Sequence, residues 1–250
     1  MEEILKKSKF DTVSRDLNYK KFVDQIGKKE FEEEQKLPQN LNADLRSYQK
    51  TGYNWLKGLE DYNLGGILAD DMGLGKTLQM LSVVEKYKES FNLDAEELNN
   101  EKQKDGFCKN GKDIKNKIKP SIVVCPSSLT INWRNEAQKF TDNLKVQVIS
   151  GNSEERNKKI DEIMKYDLII TSYDSLKRDV EKYRKNNCQF KYIIADEAQY
   201  IKNNNTQNAK AIKVINAETK YALTGTPIEN SLSELWSIFD FIMPRIFIFI

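Results

Sequence analysis

The fold of this chain is decided by the stretch GGILADDMGLGKT, residues 65–77. A short apolar strand leads into a glycine-rich turn, and Gly-Lys-Thr then opens an amphipathic helix. This is the layout of a phosphate-binding loop, in which backbone N–H groups face phosphate oxygens, Lys76 reaches the β- and γ-phosphates, and the Thr77 hydroxyl ligates magnesium. The usual pattern has glycine where Asp70 stands, so this stretch alone is also compatible with an ordinary strand-to-helix connection.

A second apolar strand, YIIA at residues 192–195, ends in the adjacent carboxylates Asp196 and Glu197. Ligands of a parallel sheet bind at the carboxyl ends of its strands, so this pair is expected to face the loop. Phosphoryl transfer needs one carboxylate to hold hydrated magnesium, which suits Asp196, and one group to orient the attacking water, which suits Glu197. Asp-Glu after a strand is also common as helix N-terminal charge. Both signals together indicate a nucleoside triphosphatase.

Short apolar runs alternate with helical segments along the chain. Strands are predicted over Gly66–Ala69, Ile122–Cys125, Val146–Ile149, Leu168–Ser172, Tyr192–Ala195 and Tyr221–Thr224. Amphipathic helices are predicted from Leu45 and over about Thr77–Phe91, Leu129–Phe140, Glu154–Met164, Asp174–Lys185, Thr206–Ile215 and Ser231–Ile242. Nearly all-apolar strands between helices are typical of a parallel sheet covered on both faces, so the predicted fold class is α/β.

Two charged segments flank or interrupt this pattern. Residues 1–37 are dense in Lys and Glu and are predicted to form a charged helical extension, with Leu37-Pro38 as its boundary. Residues 92–119 are rich in Lys, Asn, Asp and Glu. They are predicted to be a solvated polar insertion in a domain spanning 38–250, with a DNA-binding arm as the less favoured alternative.

Composition excludes several chemistries. The 250 residues contain no His, which rules out a Ser-His-Asp triad, a His general base and a His-ligated zinc. The three Cys are far apart, which predicts reduced thiols and a cytosolic-type compartment. The net charge of +2 does not by itself predict a nucleic-acid partner. The longest apolar run, 239–250, contains Asp240, Pro244 and Arg245 and is too short to span a bilayer, so no membrane partner is predicted.

The phrase GGILADDMGLGKTLQ, residues 65–79, resembles the first motif of the Swi/Snf-type ATPases of helicase superfamily two, which translocate on double-stranded DNA. The resemblance runs from about Leu45 to Pro244, although Asp71 stands where the family usually has Glu. It implies a RecA-like P-loop lobe that uses ATP and Mg²⁺. It also implies Lys76, Asp196 and Glu197 as catalytic residues and Thr77 and Asp196 as metal ligands. The nucleotide-binding residues it implies are Gln49, Asp70, Asp71, Met72, Gly73, Leu74, Gly75, Lys76, Thr77 and Gln199.

The remaining motifs follow in the family's order. Gln49 lies in LRSYQ and is implied to contact adenine, although a core stripe with an exposed Gln fits that segment alone. Gln199 closes DEAQ, where many relatives have Asp-Glu-Ala-His, and its amide can bridge to Thr224 or Thr226. The implied DNA-contacting residues are Pro126, Ser127, Ser128, Ser172 and Tyr173, and the implied coupling residues are Thr224, Gly225 and Thr226. Contacts of this kind are to phosphates and carry little sequence specificity.

The family's second RecA-like lobe, which supplies an arginine finger, has no counterpart among these motifs. The sequence therefore predicts the ATP-binding lobe of a DNA-dependent ATPase and translocase, in a truncated chain that lacks full turnover on its own. A catalytically silent ATP- and DNA-binding fragment and part of a strand-separating helicase remain as alternatives. The expected location is cytoplasmic, or nucleoid-associated in a bacterium, with a further protein partner unidentified.

Overall fold

Six strands form one sheet in the computed structural model, which describes residues 35–104, 118–226 and 231–244, with the side chains of 94–104 excluded. The strands are β1 (Gly66–Leu68), β2 (Ser121–Cys125), β3 (Val146–Ile149), β4 (Leu168–Ser172), β5 (Gln189–Ala195) and β6 (Asn216–Leu223). The α-helices are α1 (Ser47–Asp61), α2 (Lys76–Lys104), α3 (Thr130–Phe140), α4 (Ser153–Asp161), α5 (Tyr173–Lys185), α6 (Gln207–Val214) and α7 (Leu232–Ile242). The helical extension predicted over 1–37 lies almost entirely outside the described residues.

All strand pairs of this sheet are parallel, in the order β1-β6-β5-β2-β4-β3. The register places Leu68 beside Leu223, Val124 beside Ala195, and Cys125 beside Ser172. The carboxyl ends of five strands therefore meet along one edge. The segments that follow them carry the residues predicted to bind nucleotide and DNA, so the topology brings these candidates to the same edge.

Helices cover both faces of the sheet, as the all-apolar strands predict. Successive residues of a strand point to opposite faces. In β2, Ile122 and Val124 belong to a core cluster with residues of α5, α6 and α7, whereas Val123 and Cys125 belong to a second cluster with α1, α2 and α3. The prediction of an α/β fold with helices on both faces is confirmed.

Helix α2 is longer than predicted. The amphipathic pattern ends near Phe91, but the helix continues to Lys104, into the segment predicted as a polar insertion. The continuation contains Ala, Leu, Glu, Gln and Lys, which favour helix without needing a core face. Among the described residues, neither this helix nor any other is long and apolar enough to cross a membrane.

Helices α4 and α5 are joined by a buried ion pair. The Arg156 guanidinium donates to both carboxylate oxygens of Asp179, through Nε at 2.7 Å and through Nη2 at 2.9 Å. Arg156 also donates to the Gly151 carbonyl at 2.9 Å. Both side chains are under one-tenth exposed, so this two-point pairing joins α4 to α5 within the fold.

Candidate functional site

The predicted phosphate-binding loop connects β1 to α2 at the carboxyl edge of the sheet. Gly73 and Gly75 adopt φ angles of 84° and 78°, a left-handed conformation that glycine adopts without steric cost. Helix α2 begins at Lys76, whose ammonium donates to the carbonyl oxygens of Asp70 at 2.7 Å and Asp71 at 3.0 Å. The lysine charge therefore lies inside the loop, where phosphate oxygens would be attracted.

Gln49 supports this loop from helix α1. The side chain is only 6% exposed. Its Nε2 donates to the Leu74 carbonyl at 3.1 Å, and its Oε1 accepts from the Arg46 backbone N–H at 2.9 Å. A Cβ at Gly75 would lie 2.4 Å from the Gln49 Nε2, so the glycine also makes room for this contact. The amide thus joins the start of α1 to the loop, while the adenine contact implied for Gln49 stays a prediction.

A second glutamine, Gln79 of α2, also holds the loop. The sequence predicts no role for this residue. Its fully buried side chain donates from Nε2 to Asp70 Oδ2 at 3.0 Å. The side chain passes against Gly52 of α1, where an added Cβ would lie 1.9 Å from the Gln79 Oε1. A glycine in the middle of a helix, opposite a buried polar side chain, is the sequence signal for this contact. Asp70, which replaces the usual glycine, is thereby a bonded part of the loop.

Asp196 follows β5 directly and is held from two sides. Its Oδ2 accepts from the Trp133 indole Nε1 at 2.8 Å, and its Oδ1 accepts from the Glu197 backbone N–H at 2.9 Å. Burial raises the pKa of Asp196, while these two hydrogen bonds and the Lys76 charge act in the opposite direction. Trp133 is packed in the core and only 2% exposed, so the faces of its ring are not available to stack on a nucleotide.

Glu197 adopts an unusual backbone conformation. Its φ of 50° and ψ of 56° are left-handed, which costs energy for a non-glycine residue and is often found at functional sites. Its Oε2 accepts from Gln199 Nε2 at 2.7 Å, and the Gln199 Oε1 accepts from the Thr224 hydroxyl at 3.1 Å. The predicted Gln199 bridge therefore exists, and it reaches Thr224 rather than Thr226. Thr226 contributes its backbone N–H, which donates to the Thr224 hydroxyl at 3.0 Å.

Strand β6 brings the coupling motif to the loop. The Thr224 N–H donates to the Leu68 carbonyl at 3.2 Å, which extends the pairing of β6 with β1. Gly225 lies beside the loop, since a Cβ there would be 3.5 Å from Met72 Cγ. Met72 itself is 79% exposed. The predicted nucleotide-binding and coupling residues are therefore neighbours in space.

A cleft of about 500 Å³ opens beside the loop and is lined by Lys76, Thr77, Glu136, Lys139, Asp196 and Glu197. The sequence predicts no role for Glu136. Burial raises the pKa of Glu136, and the Thr77 hydroxyl, which lines the same cleft, acts in the opposite direction.

The donor chemistry of this cleft fits magnesium. Three carboxylates and two ammonium groups line it, so a triphosphate would be repelled unless a divalent cation entered with it. Thr77 and Asp196 offer hard oxygen atoms, and Mg²⁺ is typically bound by one or two such protein ligands together with phosphates and water. Each of the two oxygens of Asp196 accepts one described hydrogen bond and keeps a further lone pair.

The predicted DNA-contacting residues follow β2 and β4 at the same edge. Ser127 and Ser128 are exposed in a short 3₁₀ turn after Pro126. Ser172 is buried, and its hydroxyl accepts from the Ser175 N–H at 3.1 Å as the N-cap of α5. These serines lie close to the candidate nucleotide residues, although the contacts to DNA stay predictions.

The side chain of Tyr173 lies in the core. Its ring is only 3% exposed and stacks on Tyr200 at a centroid distance of 5.3 Å. Its hydroxyl donates to the Asp196 backbone carbonyl at 2.9 Å. In this conformation the ring supports the Asp196–Glu197 turn, and the DNA contact implied for Tyr173 stays a prediction. The signal for this burial is the helical spacing of Tyr173 and Leu176, which both join the core.

Comparison with known proteins identifies the family. The sequence model of the SNF2-related domain matches residues 48–248, which is most of the chain. The chain belongs to the SNF2-related domain family. The resemblance to Swi/Snf-type ATPases predicted from the motifs is thus confirmed.

Relatives of this SNF2-related chain include much longer proteins. The chain is 39% identical over 209 residues to TATA-binding protein-associated factor MOT1 of Saccharomyces cerevisiae, covering 84% of this chain and 10% of MOT1. It is 38% identical over 210 residues to the uncharacterized ATP-dependent helicase MG018 of Mycoplasma genitalium, covering 84% of this chain and 18% of that protein. The chain thus spans about a tenth to a fifth of the length of these relatives.

A solved structure confirms the fold. The Sulfolobus solfataricus SWI2/SNF2 ATPase core in complex with dsDNA superimposes with a TM-score of 0.66 and 38% identity, covering 83% of this chain and 37% of that core. The SWI2/SNF2 ATPase core domain of the same organism gives a TM-score of 0.64 and 37% identity. The RecA-like parallel sheet predicted from the sequence is the fold of this SNF2-related chain.

Proposed function

We propose that residues 38–250 are the first RecA-like, ATP-binding lobe of a DNA-dependent ATPase of the Swi/Snf type that translocates on double-stranded DNA. One observation carries the proposal. The phosphate loop, the Asp196–Glu197 pair and the Gln199–Thr224 bridge follow the neighbouring strands β1, β5 and β6 at one edge of the sheet. The similarity to a Sulfolobus ATPase core solved with double-stranded DNA supports the same proposal.

Each group at this edge has a role that its geometry supports. Loop N–H groups and the Lys76 ammonium bind the phosphates. Thr77 and Asp196 hold Mg²⁺, which when bound neutralises charge on the phosphate oxygens. Glu197 orients and accepts a proton from the attacking water, and Gln199 keeps its carboxylate in place through the 2.7 Å hydrogen bond. The left-handed turn at Glu197 directs this carboxylate into the cleft that the loop lines.

On the DNA side, the exposed turn of Pro126, Ser127 and Ser128 binds phosphate oxygens through hydroxyls and backbone N–H groups. The backbone at Ser172–Tyr173, where α5 begins, contributes in the same way. Thr224, Gly225 and Thr226 couple this surface to the nucleotide. Binding therefore depends steeply on salt and little on base sequence.

Full turnover requires a second lobe in this proposal, because no arginine of the described chain lines the nucleotide cleft. The matched relatives are far longer than this chain. The protein acts in the cytoplasm, or on the nucleoid in a bacterium, with a protein partner still to be identified.

Nucleotide binding is tested with a fluorescent ATP analogue and excess Mg²⁺ on the purified chain. Lys76→Ala removes a charge-assisted contact and is expected to weaken binding by about ten- to a hundredfold. Lys86→Ala, on the same helix and outside the cleft, is the matched control and should bind like the natural chain. Equal binding by the natural chain and Lys76→Ala would refute the nucleotide site.

DNA binding is tested by fluorescence anisotropy with duplexes of unrelated sequence. We expect similar affinities for all duplexes and a large loss of affinity between about 50 and 200 mM salt.

Turnover is tested by fusing the chain to the part of the Sulfolobus core that lies beyond the matched region. DNA-stimulated hydrolysis without strand displacement supports a translocase; displacement of a plain duplex strand would establish the helicase alternative. Strong stimulation of the unfused chain would refute the need for a second lobe.

A further inference from the structure

Helix α3 lies along the nucleotide cleft and contacts both candidate magnesium ligands. Trp133 and Glu136 are three positions apart, so they lie on the same side of the helix. The Trp133 indole donates to Asp196 Oδ2 at 2.8 Å, and Glu136 lines the nucleotide cleft together with Thr77. One turn of one helix thus reaches the loop helix α2 and the end of β5.

These two placements bear directly on metal-ligand chemistry. A threonine hydroxyl that donates its hydrogen to a neighbouring carboxylate presents its oxygen lone pairs elsewhere, which leaves them available to a cation, and Glu136 is the carboxylate of α3 that lines the cleft with Thr77. The Asp196 carboxylate is fixed by Trp133 on one oxygen and by the Glu197 N–H on the other, so it cannot rotate freely. Partners of this kind orient ligands around a metal and often matter about tenfold or more for its affinity.

The placement of Trp133 argues for more than packing. Its ring is 2% exposed in the core cluster, and a buried indole N–H needs an acceptor. Its acceptor is the carboxylate at the end of β5, one residue before the strained turn at Glu197. A polar bond to this carboxylate is the contact that a tryptophan provides and a phenylalanine does not.

We propose that Trp133 and Glu136 are positioning residues that hold Asp196 and Thr77 in the orientation that binds Mg²⁺ with the nucleotide. The inference rests on the proposed function, since it concerns the ligands of that site. In this proposal Glu136 and Trp133 act through Thr77 and Asp196. Helix α3 thus carries the two side chains that are proposed to orient the magnesium ligands.

The test compares the affinity of the full chain for a fluorescent ATP analogue in excess Mg²⁺ and in EDTA. Glu136→Ala removes the carboxylate proposed to accept from the Thr77 hydroxyl, so we expect the enhancement of affinity by Mg²⁺ to fall about tenfold while the affinity in EDTA stays unchanged. Glu136→Gln keeps a carbonyl acceptor and should regain most of the enhancement. Trp133→Phe keeps the ring, loses the donor and should behave like Glu136→Ala. Gln138→Ala, on the exposed side of α3, is the control.

The same measurements distinguish a failure of the proposed function from a failure of the positioning role. If the natural chain shows no enhancement by Mg²⁺, the proposed function fails. If the natural chain shows it and Glu136→Ala retains it in full, the positioning role fails. An equal loss of affinity with Mg²⁺ and with EDTA would also overturn the role, because it would mark a general structural effect. The electron paramagnetic resonance spectrum of bound Mn²⁺ gives a second readout, which should broaden or vanish in Glu136→Ala and return in Glu136→Gln.

Discussion

A buried glutamate in helix α2 makes the stability of this chain depend on pH. Glu85 is 1% exposed, and neither of its carboxylate oxygens has a hydrogen-bond partner among the described residues. The nearby Lys88 ammonium is shared with Asp167 at 2.7 Å, so it compensates Glu85 only in part. Burial, with smaller effects from Glu89, Asp167 and Asp142, raises the pKa of Glu85 from 4.5 to about 7.

The sign and size of the effect follow from these two pKa values. Below pH 4.5, Glu85 is protonated in the folded and the unfolded chain and adds no pH dependence. Between pH 4.5 and about 7, the folded chain keeps a proton that the unfolded chain releases, so the free energy of unfolding falls as the pH rises. The loss amounts to about 3 kcal/mol once the folded chain is also deprotonated, at about 1.4 kcal/mol per pH unit. A domain is typically stable by about 5–15 kcal/mol, so this is a large share.

Urea unfolding of Glu85→Gln between about pH 5 and pH 8 tests this value. The glutamine amide is also buried and costs a constant amount, so the informative quantity is the change with pH of the difference between variant and natural chain. We expect Glu85→Gln to gain about 3 kcal/mol relative to the natural chain across this range. Glu162→Gln, whose side chain is 50% exposed, should track the natural chain throughout. A difference that stays constant with pH for Glu85→Gln would show that the carboxylate is not held protonated.

Three further substitutions test other contacts. In a chain supplied with its second lobe, Glu197→Gln should bind ATP and lose hydrolysis, since it removes the group that orients water; normal turnover would exclude that role. Replacing a glycine by alanine inside a helix usually stabilises it. In Gly52→Ala, however, the new Cβ would lie 1.9 Å from Gln79 Oε1, so the free energy of unfolding measured in urea should fall by about 1–3 kcal/mol. Asp179→Ala leaves its buried arginine partner without a counter-charge and should cost about 3–5 kcal/mol in the same assay, whereas Asp174→Ala at an exposed pair should cost under about 1 kcal/mol.

The parts of the fold that the sequence predicts are those with an unbroken hydrophobic pattern. Strands β2 and β4 are apolar along nearly their whole length and were predicted within a residue of their bounds. Strands β5 and β6 begin earlier than predicted, because Gln189-Phe190-Lys191 and Asn216–Lys220 are mostly polar where the sheet reaches solvent. The Lys191 and Glu218 side chains pair across these strand starts at 2.9 Å, a contact that depends on register and not on local composition.

The site divides in a similar way. Residues adjacent in sequence, such as the loop before Lys76 or the pair at 196–197, are predictable because a strand end and a helix start place them together. The hydrogen bonds that hold these residues in place cannot be predicted in this way, because each bond joins segments that are distant in sequence. Gln79 reaches Asp70 only where α1 offers a glycine, and Trp133 reaches its carboxylate only because α3 packs against β3, β4 and α2. Tyr173 was assigned to DNA by motif position, and tertiary packing placed its ring in the core.

The absence of histidine has a physical consequence at the centre of this site. The bridge from Glu197 to Thr224 uses both ends of the Gln199 amide, whose nitrogen donates and whose oxygen accepts. A histidine at this position would change charge between about pH 5 and pH 8 and would then present two donors, which Thr224 could meet only by accepting. An amide keeps one donor and one acceptor at every pH in that range. The connection between the Glu197 carboxylate and Thr224 is therefore fixed in direction, and the Gln199 amide itself adds no pH dependence to it in this range.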